Sequence, residues 1–435
     1  MKRYICSGCS LLCDDIIVRT DGIYIEEVIG ACLKGKEKFD LITSHNRILS
    51  PLIRQNSKLQ KVSWDEALNK TVQLVKNSKK LLLYGFSNSS CEAQLKGLEL
   101  AKLSNGFIDS NSSICQGKVL NSSVNTGMAL TTITEIINKA DLIILWGSNA
   151  AESIPRLLNK VLFSRGKFRM TGREIKTLII IDPIKTASFN TMGVRDLALK
   201  ITPGKDLDLI KVLKEECCAV DSIPLEGVAG LDREDMKRLL QHLSGTEYGV
   251  VFIGQGVLTP QKDSKLVSEL LELLEMINSK QKRGRISLVM MGGHFNMPGF
   301  DHLTLSLYGV NGALQFKDNQ FINTNDTIIS KIEKEDFDCA MFFGTDPISH
   351  LPISLSSKLA KKPIILVDNH QTPTAQLADI ILPTAITGIE CNGLAYRLDH
   401  VPIELKKIIS PPSKIFTDAE LLEQIIQKFE VKGGT

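Results

Sequence analysis

The sequence predicts an α/β protein in which a short N-terminal β segment precedes two open, doubly wound sheets. Three observations carry that prediction. Short, continuously apolar runs alternate with helical patterns, as parallel strands covered on both faces require. The chain has 435 residues, too long for one ordinary core. The N-terminal segment stands apart, because it holds Cys6, Cys9 and Cys13 in C-x2-C-x3-C, then Cys32.

Taken in order, residues 16–19, an Asp21-Gly22 turn and residues 23–28 read as a β-hairpin. It would bring Cys13 and Cys32 together. Ser50-Pro51-Leu52-Ile53-Arg54 reads as an exit linker. Ser63 and Glu66 form a capping box for an amphipathic helix over 67–76. Buried strands follow at 81–85, 142–147, 178–183, 249–254, 339–344 and 364–368, with further strands ending at Asp109 and Met290. The expected domains are 1–55, then 56–130 with 320–435, and 131–319. The tail from Val431 to Thr435 reads as frayed.

The composition is that of a soluble globular protein, 43% hydrophobic and 23% charged. A net charge of +3 predicts no nucleic-acid partner. No run is long enough for a membrane span, and the N-terminus does not read as a signal peptide. A cytoplasmic, reducing location is expected, where ten cysteines serve as ligands and buried thiols rather than disulfides.

Three thiols in a tight run plus one outlier suit a [4Fe–4S] cluster. Zinc is the rival, but its usual second close pair is missing. A structural or redox-only role is the third reading. Cys115 follows one predicted strand and precedes a predicted helix. A helix N-terminus lowers a thiol pKa and favours the metal-binding thiolate, although a buried, inert cysteine fits the same position. Cys91, Cys217, Cys218, Cys339 and Cys391 read as buried thiols. Ligands of doubly wound sheets bind beyond the carboxyl ends of the strands, where Asn149, Asp182, Gln255, Asp346 and Asp368 fall. Asp182 and Asp368 suit a ribose hydroxyl or a base amino group, and equally a cap or turn. Gly292-Gly293-His294 follows a strand and would place His294 at its end. Thr372 and Thr374 offer hydroxyls near Asp368, and Asn392 follows in the next loop.

Together these residues resemble the molybdopterin oxidoreductase family and, within it, the B subunits of tungsten or molybdenum formylmethanofuran dehydrogenases. The resemblance runs from Cys6 to about Lys407. It rests on the Cys6/Cys9/Cys13/Cys32 set with Asp14-Asp15-Ile16, on 51–54, on Ser90-Cys91-Glu92-Ala93-Gln94, and on Cys115. It continues through Asp182-Pro183 with Lys185-Thr186, Gly293-His294-Phe295-Asn296, and Thr372 onward to Arg397. It implies two molybdopterin guanine dinucleotides, one per α/β domain, holding tungsten or molybdenum, with Cys115 as the protein ligand. It also implies a [4Fe–4S] cluster that passes electrons, and CO2 reduced reversibly to formate. Asp182, Lys185, Thr186 and Asp368 would meet the nucleotides. No C-terminal β-barrel is expected in this chain. The implied partners are a β-barrel subunit covering the pterins, an amidohydrolase-type subunit and ferredoxin-like iron–sulfur subunits.

Two positions depart from the resembled pattern. Gln116 stands where a histidine is usual, and a glutamine cannot shuttle a proton near neutral pH. Gly292 stands where an arginine is usual, which removes a cation suited to a carboxylate-like transition state. His294 remains a candidate for proton transfer. Three readings stay open: an active formylmethanofuran dehydrogenase subunit serving one-carbon metabolism, a catalytically degenerate scaffold or electron relay of a formyltransferase/hydrolase-like complex, or another molybdopterin reaction on the same fold.

Overall fold

The computed structural model describes residues 2–167, 172–217, 226–258, 263–280, 284–412 and 414–431. Cys218 and the tail after Val431 lie outside them. The chain forms two compact units. One comprises Met1–Ile114, His294–Arg397 and Pro402–Thr435; the other Cys115–Gly293 and Leu398–Val401.

The first unit begins with a three-stranded antiparallel sheet, Lys2–Tyr4, Ile16–Thr20 and Ile25–Ile29. The turn is longer than the expected Asp-Gly pair. The Asp21 carboxylate accepts the Ile23 and Tyr24 N–H groups at 2.8 and 2.7 Å, which holds the second strand off until Ile25.

The main sheet of this unit has nine strands. Its centre is parallel, in the order Phe107–Ser110, Leu81–Gly85, Cys339–Phe343, Ile364–Val367 and Ile380–Leu382. Numbered along the chain this is 2-1-3-4-5, a doubly wound order whose switch point lies between Leu81–Gly85 and Cys339–Phe343. Every residue of the five strands is buried, which explains why their sequences do not alternate. Antiparallel hairpins extend both edges: Leu314–Lys317 with Gln320–Asn323, and Leu52–Gln55 with Lys58–Lys61. The expected linker at 50–54 is therefore partly a strand. Ile53 is buried against Ile380, and Arg54 donates to the Ala378 and Gln376 carbonyls at 3.0 and 2.6 Å. Two apolar residues between Pro51 and Arg54 were too short a run to read as one.

The second unit is built on a five-stranded parallel sheet ordered Leu197–Leu199, Thr177–Ile181, Leu142–Trp146, Tyr248–Ile253 and Arg285–Met290. Its order along the chain is 3-2-1-4-5, with the switch point between Leu142–Trp146 and Tyr248–Ile253. The chain crosses between units at 114/115 and 293/294, whereas the sequence placed these points at 130/131 and 319/320. The helix Gly117–Thr126 packs on Asp263–Lys280 in the second unit, and strand Leu314–Lys317 pairs with Phe107–Ser110 in the first. Residues 1–55 fall within the first unit. Among the described residues no strand set closes into a barrel.

Both switch points are places where main chain meets main chain. A Cβ on Gly85 would lie 2.3 Å from the Phe343 carbonyl oxygen, and one on Gly254 2.3 Å from the Gly147 oxygen. Gly254 and Gly256 donate N–H to the Trp146 and Gly147 oxygens, each at 2.9 Å. Gly254→Ala should therefore destabilise the chain by about 1–3 kcal/mol, as overpacking does. A chemical denaturation midpoint unchanged from the native chain would contradict this.

Candidate cofactor and metal centre

The cysteine loop of the first unit is a closed turn. The Cys6 N–H donates to the Cys13 oxygen at 2.9 Å, and Leu12 takes φ 42° to complete the turn. Cys6, Cys9 and Cys13 are 5–6% exposed, and Cys32 is half-buried. Cys32 is the N-cap of the helix Leu33–Asp40. A helix N-terminus favours an anion by about 0.3–1 kcal/mol. Two glycines bring the loop onto this helix. A Cβ on Gly8 would lie 3.0 Å from the Gly35 Cα, and one on Gly35 would lie 3.0 Å from the Cys6 Sγ and 3.9 Å from the Cys32 Sγ. Burial pushes the Cys6 thiol up to about 11, aided by the neighbouring Cys9 and Cys32 and opposed by the Gly8 N–H. Metal ligation would release that proton. Among the described residues, no three His, Cys, Asp or Glu side chains already converge to hold a single metal ion.

The loop is tied to a second feature. Ser7 Oγ donates to the Thr387 oxygen at 2.9 Å. Thr387 lines a cavity of about 200 Å³ beyond the carboxyl ends of Cys339–Phe343 and Ile364–Val367, with Lys38, Asn88, Asp368, Thr384 and Asp418. This is the side of the sheet on which doubly wound folds bind their ligands. Burial raises Asp368 to about 6 and raises Asp418, while it lowers Lys38, so one cation faces two carboxyls. The buried Arg47–Glu390 ion pair (2.6 Å) braces the same loop, and Glu390 also accepts the Ile386 N–H at 2.9 Å. Removing one partner of such a pair costs about 3–5 kcal/mol.

Other candidates in this unit are engaged elsewhere. Asp346 accepts both the N–H and the hydroxyl of the fully buried Thr374, so these two satisfy each other. Thr372 caps the helix Pro373–Leu377 through the Ala375 N–H. The exposed Asn392 accepts the Lys407 N–H at 2.7 Å. The His294 Nδ1 is buried with no hydrogen-bond partner. Burial first, then the charges of His350, Lys34 and Lys38, lower its pKa to about 4, so its ring is neutral near pH 7. Lys38 and Asp418 were missed in the sequence. Neither stands in a motif that the sequence singles out.

In the second unit, Cys115 is half-buried between the 3-10 turn Asn111–Ile114 and the helix Gly117–Thr126, with its Sγ 3.8 Å from the Met291 oxygen. Gln116 is 2% exposed, and neither amide atom of its side chain has a partner. Beyond the carboxyl ends of the sheet, Asn149 accepts the Ser188 hydroxyl at 3.1 Å. Asp182 is buried, which raises its pKa, and it accepts the Ile184 N–H at 3.0 Å. The Thr186 hydroxyl is buried without a partner, while Lys185 and Gln255 are exposed.

Two doubly wound sheets, each with a switch point and polar strand ends, together with a thiol loop on a helix N-terminus, define an α/β fold of the kind that binds ligands beyond its strand ends. The chain belongs to the molybdopterin oxidoreductase family, whose model matches residues 47–428. It is 32% identical to the B subunit of the tungsten-containing formylmethanofuran dehydrogenase 2 of Methanocaldococcus jannaschii, over 98% of each chain. The corresponding protein of Methanococcus maripaludis is 31% identical, over 99% of this chain and 98% of its own. A chain of the formyltransferase/hydrolase complex from Methylorubrum extorquens shares the fold, with TM-score 0.69 and 16% identity, over 89% of this chain and all of that one. Among the described residues no helix is long and apolar enough to cross a membrane.

The buried histidines give a pH test. His294 and His370 both have folded values of about 4, below the unfolded value of about 6.5. Their neutral burial contributes stability that is present above about pH 6.5 and lost as pH falls towards about 4. Relative to the native chain, His294→Gln should flatten this acid-side slope in thermal unfolding. An unchanged slope would show that His294 charges normally in the folded chain.

Proposed function

We propose that the chain is the metal-bearing subunit of an oxidoreductase that interconverts CO2 and formate. It would feed formylmethanofuran synthesis. The carrying observation is full-length similarity to the B subunit of a tungsten-containing formylmethanofuran dehydrogenase, at 32% identity over 98% of each chain, in a chain that holds Cys115 and all four N-terminal cysteines.

The residues fit the implied groups. The buried thiols at the Leu33–Asp40 helix suit a [4Fe–4S] cluster, and a cluster spans its ligands, so they need not converge on one ion. The Asp368 and Asp418 cavity suits the donor-rich edge of a guanine, with Lys38 as a partner for phosphate. In the second unit, Asp182, Asn149 and the unpartnered Thr186 hydroxyl suit the second dinucleotide. Cys115 is the ligand for tungsten or molybdenum, which would supply the two-electron chemistry. The Gln116 amide is buried with both donor and acceptor unspent, so it can orient a carboxylate-like group without carrying a proton. Its lost solvation is repaid only when such a group arrives.

A second reading is a scaffold or electron relay. It is favoured by the two polar side chains best suited to help at the metal, because neither Gln116 nor the neutral His294 ionises near pH 7. In either case the chain works in a cytoplasmic complex. Its partners there are a β-barrel subunit, an amidohydrolase-type subunit and iron–sulfur subunits.

Metal and pterin analysis of the purified complex separates the readings. Stoichiometric tungsten or molybdenum with pterin is expected, and iron without either would establish the relay. Cys115→Ser should abolish CO2/formate turnover while sparing iron; full retained activity would remove Cys115 from the metal. Cys9→Ser should lower iron content, and unchanged iron would dismiss the cluster.

A further inference from the structure

The turn that leads into Cys115 rests on two buried carboxyl groups. Asp109 lies one residue before the end of the strand Phe107–Ser110, and Asp301 lies on the helix Met297–Tyr308; both are 0% exposed. Asp109 is well supplied with donors. It accepts the Ser110 N–H, the Ser113 hydroxyl and the Ile328 N–H, each at 2.8 Å. Asp301 receives one donor, the Ser112 hydroxyl at 3.1 Å to Oδ1, and its Oδ2 is buried with no partner. The Ser112 hydroxyl also lies 2.7 Å from the Ser110 hydroxyl. The Ser112 N–H returns to the Ser110 oxygen at 3.2 Å. The two hydroxyls and Asp301 therefore form one hydrogen-bonded chain.

Two carboxylates this buried do not both ionise readily. Burial raises each to about 7, and Asp109 adds its charge against Asp301. The hydrogen bonds separate them. Three donors hold Asp109 as the anion, while one donor and a bare oxygen leave Asp301 the better home for the proton.

We propose that Asp301 is a positioning residue, held as a neutral acid, which anchors the Ser110 and Ser112 hydroxyls and so fixes the turn Asn111–Ile114 that presents Cys115 to its metal. This rests on Cys115 being the metal ligand, which Cys115→Ser tests separately. The helix carrying Asp301 packs on the helix Cys91–Leu103 and the strand Gly393–Tyr396. Of the titratable groups on these elements, Cys91 bonds Asn296, Glu92 accepts the Leu394 N–H, Lys96 pairs with Glu423 and Glu99, and the Tyr396 ring stacks on His302 of the Asp301 helix itself. Asp109 is the charge that acts on Asp301.

The test compares Asp301→Asn, Asp301→Ala and Ser112→Ala in the purified complex. Asp301 holds its proton above the unfolded value of about 3.9, so its contribution to stability is full below about pH 4 and is lost as pH rises through about 7. Asp301→Asn mimics the neutral acid. It should keep the tungsten or molybdenum content and flatten that part of the pH dependence of thermal unfolding. Ser112→Ala opens no large cavity and should lower metal retention by about tenfold, the low end of the range for losing a group that supports a metal ligand, because Ser112 holds the turn rather than Cys115 itself. Asp301→Ala should do the same. The proposal is overturned if Asp301→Asn keeps the native pH slope, if it loses metal as fully as Asp301→Ala, or if Ser112→Ala retains native metal content. A native complex without tungsten or molybdenum would defeat the reading of Cys115, whereas the pH slope would still report the proton on Asp301.

Discussion

The constraint on which the rest of the structure depends is the approach of backbone to backbone at the two switch points. Gly85 lies against the Phe343 carbonyl, and Gly254 and Gly256 against that of Gly147. No side chain could stand at these contacts. Adjacent parallel strands can then part abruptly, and the loops that follow carry Asn88 on one sheet and Asn149 on the other. The same device recurs at Gly8 and Gly35, where it brings a thiol loop onto a helix N-terminus.

The strands were legible because burial on both faces leaves an uninterrupted apolar run, as at 142–146 and 339–343. The cysteine set was legible because four thiols in so short a segment have no packing explanation. Other features were hidden for physical reasons. The strand Leu52–Gln55 is made by its partner Ile380–Leu382 rather than by its own residues. Asp346 and Thr374 each looked like ligand contacts, but they stand 28 positions apart and satisfy one another. Lys38 and Asp418 meet only because the first and last helices of the chain reach one cavity. Single-sequence patterns carry no record of such meetings.

The electrostatics of the chain favour neutral groups in the interior. His294 and His370 are stripped of charge by burial, and Gln116 has none to lose. Charges that do persist are either paired, as with Arg47 and Glu390, or held by neutral donors, as with Asp109. A site assembled this way leaves charge development to whatever the protein binds, and it contributes shape and dipoles instead.

The edge strands have a consequence for biosynthesis. The second unit is almost one continuous stretch, Cys115–Gly293, so its sheet can close soon after that stretch is made. The nine-stranded sheet is different. It draws Leu52–Gln55 from near the start of the chain and Ile380–Leu382 from near its end, and the helix Asp418–Val431 packs on Trp64–Asn77. Loop closure over such separations is slow. The thiol loop therefore waits for nearly the whole polypeptide before its Thr387 anchor exists, so its cysteines stay in an untethered segment through most of synthesis.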